Sequence, residues 1–132
     1  MIPLGINTIV VSLIDVTVDH SLCLGKFQEA GLYILVDLAD QNGNGVYFSP
    51  PTWNYDTFSY FIGVIDAFAP YSNILGFLLD YLSLMDLTDT TPGLPFAKAQ
   101  FRDLKAYMSD NNYRQIPIGA FYDNTTLASL GV

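Results

Sequence analysis

Four short apolar segments, each bounded by polar or turn residues, recur along the chain and predict β-strands. They span residues 6–14, 33–38, 74–79 and 116–121. The third segment, Ile-Leu-Gly-Phe-Leu-Leu, is apolar without alternation, which is typical of a parallel strand that is covered on both faces. Asn73 precedes this segment and Asp80 follows it, and these polar residues predict where the strand begins and ends.

Three longer segments lie between the strands and repeat apolar side chains at the spacing of an amphipathic helix. They span residues 21–30, 55–68 and 94–109. The third places Lys98, Arg102 and Lys105 opposite its apolar stripe, where we expect them to face water. Gly31 directly follows the first segment and predicts a helix end in the left-handed conformation. Strand and helix therefore alternate, which predicts an α/β fold of parallel strands joined by right-handed crossovers.

The predicted ligand site lies at the carboxyl ends of the strands, where parallel α/β folds place their chemistry. Two connections after strand ends, residues 39–54 and 80–93, are longer than a crossover requires, and such loops commonly bind ligands. Asp37 closes the second strand and Asp80 the third, so both are expected at this edge. Two carboxylates are the minimum for glycoside hydrolysis, but strand-end aspartates also cap the following loop, and both interpretations stay open.

The composition narrows the class of partner. The chain of 132 residues is 51% hydrophobic, which is enough for a single domain, residues 1–132, with one core. Thirteen acidic and five basic side chains give a net charge of −8, which disfavours nucleic acid and anionic membrane surfaces. No uncharged apolar run approaches the roughly 18 residues that span a bilayer. The apolar opening segment lacks the basic start and the cleavage site of a signal peptide, so we interpret it as a strand.

The sequence gives little support for a metal site or for a catalytic nucleophile. Residues 40–45 match the first half of a calcium-binding loop, but the position of its bidentate glutamate is Pro51, so we predict a plain turn and no metal site. His20, the only histidine, directly precedes the first predicted helix, which it, Asp19 or Ser21 is expected to cap. Cys23, the only cysteine, cannot form a disulfide within the chain and is expected to be buried. No cofactor is predicted.

Six motifs carry a resemblance to a known family. They are Gly-Ile-Asn-Thr-Ile at 5–9, Asp-His-Ser at 19–21 with the cysteine two residues on, Ala-Gly-Leu-Tyr at 30–33, Pro-Thr-Trp-Asn at 51–54, Asn-Ile-Leu-Gly-Phe at 73–77 and Tyr-Arg-Gln-Ile-Pro-Ile-Gly at 113–119. Together they resemble the fungal β-1,3-glucanosyltransferases of glycoside hydrolase family seventy-two, over nearly the whole chain. The resemblance implies the second to fifth strands of a (β/α)8 barrel, that is, a partial TIM barrel of about four parallel strands and three crossover helices.

The resemblance also implies an activity, from which the sequence departs at the catalytic position. Family members cut β-1,3-glucan and transfer the new end onto another glucan at the outer surface of the fungal cell, where a lipid anchor holds them. The acid/base glutamate of the family follows Leu-Gly-Phe-Phe-x-Gly-Asn, and the corresponding stretch from Leu75 places Leu82 at the glutamate and Tyr81 at the asparagine. The nucleophile glutamate, on a late strand of the family barrel, has no counterpart. Because a retaining enzyme needs two carboxylates about 5 Å apart, we expect this chain to be inactive.

Three residues are candidate glucan contacts by this resemblance. Asp37 falls on a family aspartate that lines the sugar site, and Asp80 and Tyr81 follow the third strand at the same edge. The first strand reads Ile-Val-Val-Ser at 9–12 where the family reads Ile-Arg-Val-Tyr, so the arginine and a sugar-contacting tyrosine are missing. The expected partner is β-1,3-glucan.

Other interpretations stay open. The chain could be a non-catalytic glucan-binding or scaffold protein that uses surface aromatics such as Trp53 and Tyr55, or a fragment without function. Asn124 begins the only glycosylation sequon, whose use fits the secretory habit of the family.

Four strands of a closed barrel leave two edges and an inner face. We expect that inner face to be apolar, with Val11, Leu35, Phe77 and Ile118 as contributors, and we predict a homodimer or an aggregate that forms through the exposed edges.

Overall fold

Seven elements alternate along the chain in the order that the sequence predicts. The computed structural model describes residues 5–39, 53–80 and 94–121. The strands are β1 (Thr8–Val11), β2 (Tyr33–Asp37), β3 (Ile74–Asp80) and β4 (Ile118–Phe121), and the helices are α1 (Ser21–Glu29), α2 (Tyr55–Phe68) and α3 (Leu94–Asp110). The helix bounds agree with the predicted ranges to within one residue, whereas β1 is much shorter than the predicted 6–14.

The four strands form one parallel sheet in the order β1-β2-β3-β4. Ile9 pairs with Ile34 and Phe77 with Ile118, so all carboxyl ends lie at one edge of the sheet. The register between β2 and β3 shifts by one residue after Ile34. Within the described residues, β1 and β4 are the edge strands. The predicted four parallel strands with helices between them are therefore confirmed.

Local sequence explains where α2 begins and α1 ends. The side chain of Asn54 accepts a hydrogen bond from the Thr57 amide at 3.0 Å, which satisfies one of the free donors of the first turn. Trp53 precedes this cap and packs edge-on against Phe58, with 5.7 Å between ring centroids, as in a hydrophobic staple. Gly31 follows α1 with a φ of 69°, and the predicted left-handed cap is confirmed.

All three helices pack on one face of the sheet. The core joins Leu24 of α1, Phe61 of α2 and Leu104 of α3 to Val36 and Phe77 of the strands. In α3 the predicted stripe is confirmed at Ala97, Leu104 and Met108, which are buried, while Lys98, Arg102 and Lys105 are exposed. None of the helices in the described part of the chain is long and apolar enough to cross a membrane.

The face of the sheet opposite to the helices, which we call the open face, is lined by different residues from those predicted from the sequence. Val11, Phe77 and Ile118 belong to the helix-covered core, so the prediction that they line the open face is wrong. The error has a simple cause: side chains alternate between faces along a strand, and only the register tells which set meets the helices. Leu35 does lie on the open face, as predicted, since it stands between Ile34 and Val36 of β2, which are buried on the helix-covered face.

Two rows of residues cross the open face. Val10, Leu35 and Gly76 form one row, and Asp37, Leu78 and Gly119 form the next one toward the carboxyl edge. The glycines leave room for their neighbours, because a Cβ built on Gly76 would lie 3.3 Å from Cδ2 of Leu35 and 3.2 Å from the Pro117 carbonyl oxygen. The open face is thus apolar at its centre and carries a carboxylate near the carboxyl edge.

In helix α1 a second prediction, the burial of Cys23, is wrong. Leu24 is its buried side chain, whereas Cys23 is exposed, so the expected burial of that thiol is wrong. Leu24 meets the core, and Phe27 only packs against its border. Helix α1 is short and only weakly amphipathic, so the spacing of its apolar residues does not decide which side faces the core.

Candidate functional site

The carboxyl edge of the sheet brings the two candidate aspartates onto neighbouring strands. The Cα of Asp37 pairs with that of Leu78, and Asp80 lies two residues further along β3, where its Cα pairs with that of Phe121. Two strand rises along β3 and one strand spacing across separate the two Cα positions by about 8 Å. The prediction that both aspartates close their strands at one edge is therefore met by the backbone.

Asp37 also has the structural role that the sequence left open, which is to cap the loop after β2. It is partly buried, and its Oδ1 accepts a hydrogen bond from the Ala39 amide at 3.0 Å, which turns the chain out of β2. This bond fixes the carboxylate at the end of the strand, on the open face and next to the row formed with Leu78 and Gly119. The hydrogen bond from Ala39 therefore restricts the orientation of the Asp37 carboxylate at the end of β2.

The connection after β1 lies at the same edge of the sheet and was not among the predicted site segments. Asp15 Oδ1 accepts hydrogen bonds from the Thr17 amide at 2.9 Å and from the Thr17 hydroxyl at 2.6 Å. These two bonds hold the pKa of Asp15 below its usual value. The Asp-x-Thr spacing is a signal of such a turn and could have been recognised. The Tyr60 hydroxyl of α2 then donates to the Ile14 carbonyl at 2.8 Å and anchors the connection.

The predicted cap of α1 is provided by Asp19. Its side-chain oxygens accept from the Ser21 amide at 2.9 Å and from the Ser21 hydroxyl at 3.0 Å, which lowers the pKa of Asp19. His20 occupies the N-cap position without a side-chain cap, and its Nε2 lies 2.8 Å from the Asp15 carbonyl oxygen. His20 therefore contacts the backbone of the β1–α1 connection and does not cap α1 with its side chain.

Trp53 is part of the helical layer, so its assignment as a surface aromatic is corrected. Its indole Nε1 donates to Asp103 Oδ2 of α3 at 2.8 Å, and its ring also packs against Phe61 at 5.8 Å between centroids. The hydrogen bond from the neighbouring Arg102, followed by that from Trp53, lowers the pKa of Asp103. Tyr55, in contrast, is 78% exposed and remains a surface aromatic.

A second polar cluster, which was not predicted from the sequence, links α2 to α3. The Tyr107 hydroxyl donates to the two carboxylate oxygens of Asp66 at 2.8 and 2.9 Å, and the Tyr113 hydroxyl donates to Oδ1 at 2.9 Å. Burial, followed by the hydrogen bond to Asp66, raises the pKa of Tyr107 to about 12 and raises that of Tyr113 as well. Asp66 lies 41 and 47 residues before the two tyrosines, so no local sequence pattern could have predicted the cluster.

Two clefts lie away from the carboxyl edge of the sheet. A cleft of about 320 Å³ lies between α2 and α3 and includes Phe58 and Asp103, and one of about 210 Å³ at the amino edge includes Gln28 and Asn73. The described ranges contain no group of three or more side chains that could hold a metal ion. Tyr81, Leu82, the loop at 40–45, Pro51 and Asn124 lie outside the residues that the structure describes.

The fold and the carboxylate at the carboxyl edge of the sheet define a structural class of protein. Parallel strands in sequential order, helices on one face and a carboxylate at the carboxyl edge of the other are the features of a segment of a (β/α)8 barrel. Comparison with known sequences is more specific. The family described as Glucanosyltransferase matches residues 1–128, and the chain belongs to this family.

Individual proteins with similar sequences are consistent with this family. The 1,3-beta-glucanosyltransferase gas1 of Schizosaccharomyces pombe is 42% identical over 116 residues, which are 88% of this chain and 21% of the relative. Protein EPD1 of Candida maltosa is 39% identical over 113 residues, 86% of this chain and 20% of the relative. The chain therefore spans about a fifth of the length of these curated relatives.

A solved structure shares the fold. Saccharomyces cerevisiae Gas2p in complex with laminaripentaose superposes with a TM-score of 0.86 at 35% identity, over 96% of this chain and 29% of Gas2p. A complex of Gas2p with laminaritriose and laminaritetraose gives a TM-score of 0.85. The family that the six motifs predict is thus confirmed, and so is the partial barrel.

Proposed function

We propose that this chain binds β-1,3-glucan at the carboxyl edge of its sheet and does not itself transfer it. The observation that carries the proposal is Asp37, held by the Ala39 amide at the end of β2 on the open face. Membership of the glucanosyltransferase family and the laminari-oligosaccharide complexes of Gas2p support glucan as the ligand. The acidic net charge of −8 fits a neutral polysaccharide better than an anionic one.

The absence of transfer follows from the residue at the acid position. By the family motif that position is Leu82, whose side chain has no proton to give and no electron pair to attack the anomeric carbon. Asp80 is a poor substitute, because it lies two positions before Leu82, or roughly 7 Å along an extended chain. We therefore place Asp80 and Tyr81 among the glucan contacts and assign no catalytic residue.

Calorimetric titration with laminaripentaose tests the binding half of the proposal. We expect wild-type protein to bind and Asp37→Asn to weaken binding by about tenfold or more, since a hydrogen bond to a charged group contributes about 1.5–3 kcal/mol. Asp110→Asn, the same change at the exposed end of α3, is the matched control and should bind like wild type. Equal affinities of wild type and Asp37→Asn would remove Asp37 from the site.

Chromatography of the same mixtures tests the inactivity. After prolonged incubation we expect only the starting oligosaccharide, with neither shorter nor longer products. Longer products that disappear in Asp80→Asn would contradict the proposal and make Asp80 the acid.

A surface location in the fungal wall belongs to the same proposal. Family membership supports it, and Asn124 offers a sequon that a secreted chain could use. In a fungal secretory host we expect glycosidase treatment to lower the mass of the wild-type chain but not that of Asn124→Gln. An unchanged wild-type mass would withdraw the glycoprotein assignment.

A further inference from the structure

The β1–α1 connection, residues 12–20, leaves the sheet beside Asp37. Val11 is the last residue of β1 and pairs with Val36 of β2, so the next residue along the chain, Ser12, is level with Asp37. Neighbouring strands lie about 4.8 Å apart, so the start of the connection is the direct neighbour of the Asp37 carboxylate along the carboxyl edge. The path of the connection therefore shapes the space beside Asp37.

The connection begins with a residue in a strained conformation. Leu13 has a φ of 58°, in the left-handed region that leucine rarely adopts. Among the described residues, Asn112 is the other residue apart from glycine with a positive φ, and asparagine commonly takes this conformation just after a helix, here α3. Leu13 follows a strand and has no such local reason. A strained conformation of this kind persists only where the surrounding structure holds it.

Helix α2 provides contacts that hold this turn. The Tyr60 hydroxyl donates a hydrogen bond at 2.8 Å to the carbonyl oxygen of Ile14, the residue after Leu13. About one turn further along α2, Gly63 lies against Val16, because a Cβ built on Gly63 would be 3.6 Å from Cγ1 of Val16. The two contacts are three residues apart on the helix and two apart in the connection. Together they fix the middle of the connection on the surface of α2.

Hydrogen bonds within the connection make its second half one unit. Asp15 Oδ1 accepts from the Thr17 amide and hydroxyl, and the Asp15 carbonyl accepts from the Val18 amide at 3.2 Å. His20 Nε2 lies 2.8 Å from the same carbonyl oxygen. These bonds are local and set the internal shape of the unit, whereas the bond from Tyr60 joins it to α2.

We propose that Tyr60 is a positioning residue for glucan binding, which holds the strained turn at Leu13 beside Asp37 through its hydrogen bond to Ile14. The inference rests on the proposed function, because it takes the carboxyl edge as the glucan site. Tyr60 acts through the backbone of the connection and not by contact with the sugar. A surface that is held in its binding shape before the ligand arrives loses less conformational entropy on binding. Without the hydroxyl the strain at Leu13 favours other conformations, and the apparent affinity falls with the fraction of molecules that keep the binding shape.

Calorimetric titration with laminaripentaose of four proteins tests the inference. They are wild type, Tyr60→Phe, Leu13→Gly and the double variant. We expect Tyr60→Phe to weaken binding by about fivefold, the typical effect of one lost hydrogen bond. Glycine adopts the left-handed conformation without strain, so in the Leu13→Gly background the same change should weaken binding by less than about twofold. Because each loss is measured within one background, any direct contribution of the Leu13 side chain cancels.

Tyr107→Phe is the matched control. It also removes a tyrosine hydroxyl whose hydrogen bond of 2.8 Å joins two elements, but its partner Asp66 lies near the end of α2 that leads to the amino edge of the sheet. We expect this variant to bind glucan like wild type. Equal affinities of wild type and Tyr60→Phe would overturn the inference, and so would equal losses in Tyr60→Phe and Tyr107→Phe. A loss of full size in the Leu13→Gly background would overturn it as well, because the strain would then play no part.

Amide hydrogen exchange provides a readout that needs no glucan. The amides of Thr17 and Val18 both donate to Asp15, so their exchange reports opening of the connection. We expect about fivefold faster exchange of these amides in Tyr60→Phe, and the wild-type rate in Tyr107→Phe. Unchanged exchange in Tyr60→Phe would overturn the inference whatever the titration shows. Faster exchange together with a wild-type chain that does not bind laminaripentaose would contradict the proposed function and, with it, a positioning role for glucan.

Discussion

Replacement of Phe77 by alanine should cost about 3–5 kcal/mol of the free energy of unfolding, the range measured for buried aromatic residues. Phe77 is fully buried at the centre of the sheet, with Val36 and Ile118 beside it on the neighbouring strands. Its ring lies in the core that joins the sheet to all three helices, so the surroundings cannot collapse into the cavity without moving several elements. Since a domain of this size has about 5–15 kcal/mol in total, the variant should be only marginally folded.

Tyr55→Ala is the matched control for this experiment. It also removes an aromatic ring, but Tyr55 is 78% exposed at the start of α2, so we expect a change within about 0.5 kcal/mol. Urea unfolding of the three proteins gives the comparison. If Phe77→Ala were as stable as Tyr55→Ala, the assignment of the helix-covered face would be wrong.

Alkaline pH should destabilise the protein through Tyr107. Burial, followed by the hydrogen bond to Asp66, raises the pKa of this phenol from 10.0 to about 12 in the folded state. A group whose pKa is raised by folding contributes stability that is complete below its unfolded pKa and is lost as the pH rises through the folded pKa. We therefore expect a loss of about 1–3 kcal/mol between about pH 10 and pH 12, with partial solvent exposure placing it toward the lower end.

Variants separate this loss from that of the other tyrosines. Tyr107→Phe should remove most of the additional decrease above pH 10, whereas Tyr55→Phe, on an exposed ring, should leave the curve unchanged. In Asp66→Asn the burial remains but the carboxylate is lost, so the phenolate absorbance of Tyr107 should appear at a lower pH than in wild type. Identical alkaline curves for wild type and Tyr107→Phe would contradict the cluster as we describe it.

The fold was predictable because the chain repeats one local unit. Amphipathic spacing, the Trp-Asn start of α2 and the glycine after α1 each act over a few residues, so the sequence located the helices to within one residue. The faces of the strands were not predictable in the same way. A sheet with two apolar faces offers no alternation, and only the long-range register tells that Phe77 meets the helices while Leu35 lies on the open face.

The candidate site was partly predictable for the same reason. Asp37 and Asp80 end their strands in sequence and in structure, and parallel pairing brings strand ends together. The residues that were misjudged depend on tertiary partners: Trp53 is held by Asp103, fifty residues away, and Cys23 is turned outward because Leu24 fills the core. Tyr60 was missed as an anchor of the β1–α1 connection, since its partner is a backbone carbonyl that no side-chain pattern shows.

The central claim is that β-1,3-glucan binds at the carboxyl edge of this sheet. Backbone amide chemical shifts of the ¹⁵N-labelled chain, followed during titration with laminaripentaose, test it most directly. We expect the largest shifts at the ends of β2 and β3, around Asp37, Ala39 and Asp80, and cellopentaose should cause much smaller ones. Shifts confined to the amino edge around Gln28 and Ser72, or no shifts at millimolar oligosaccharide, would contradict the account.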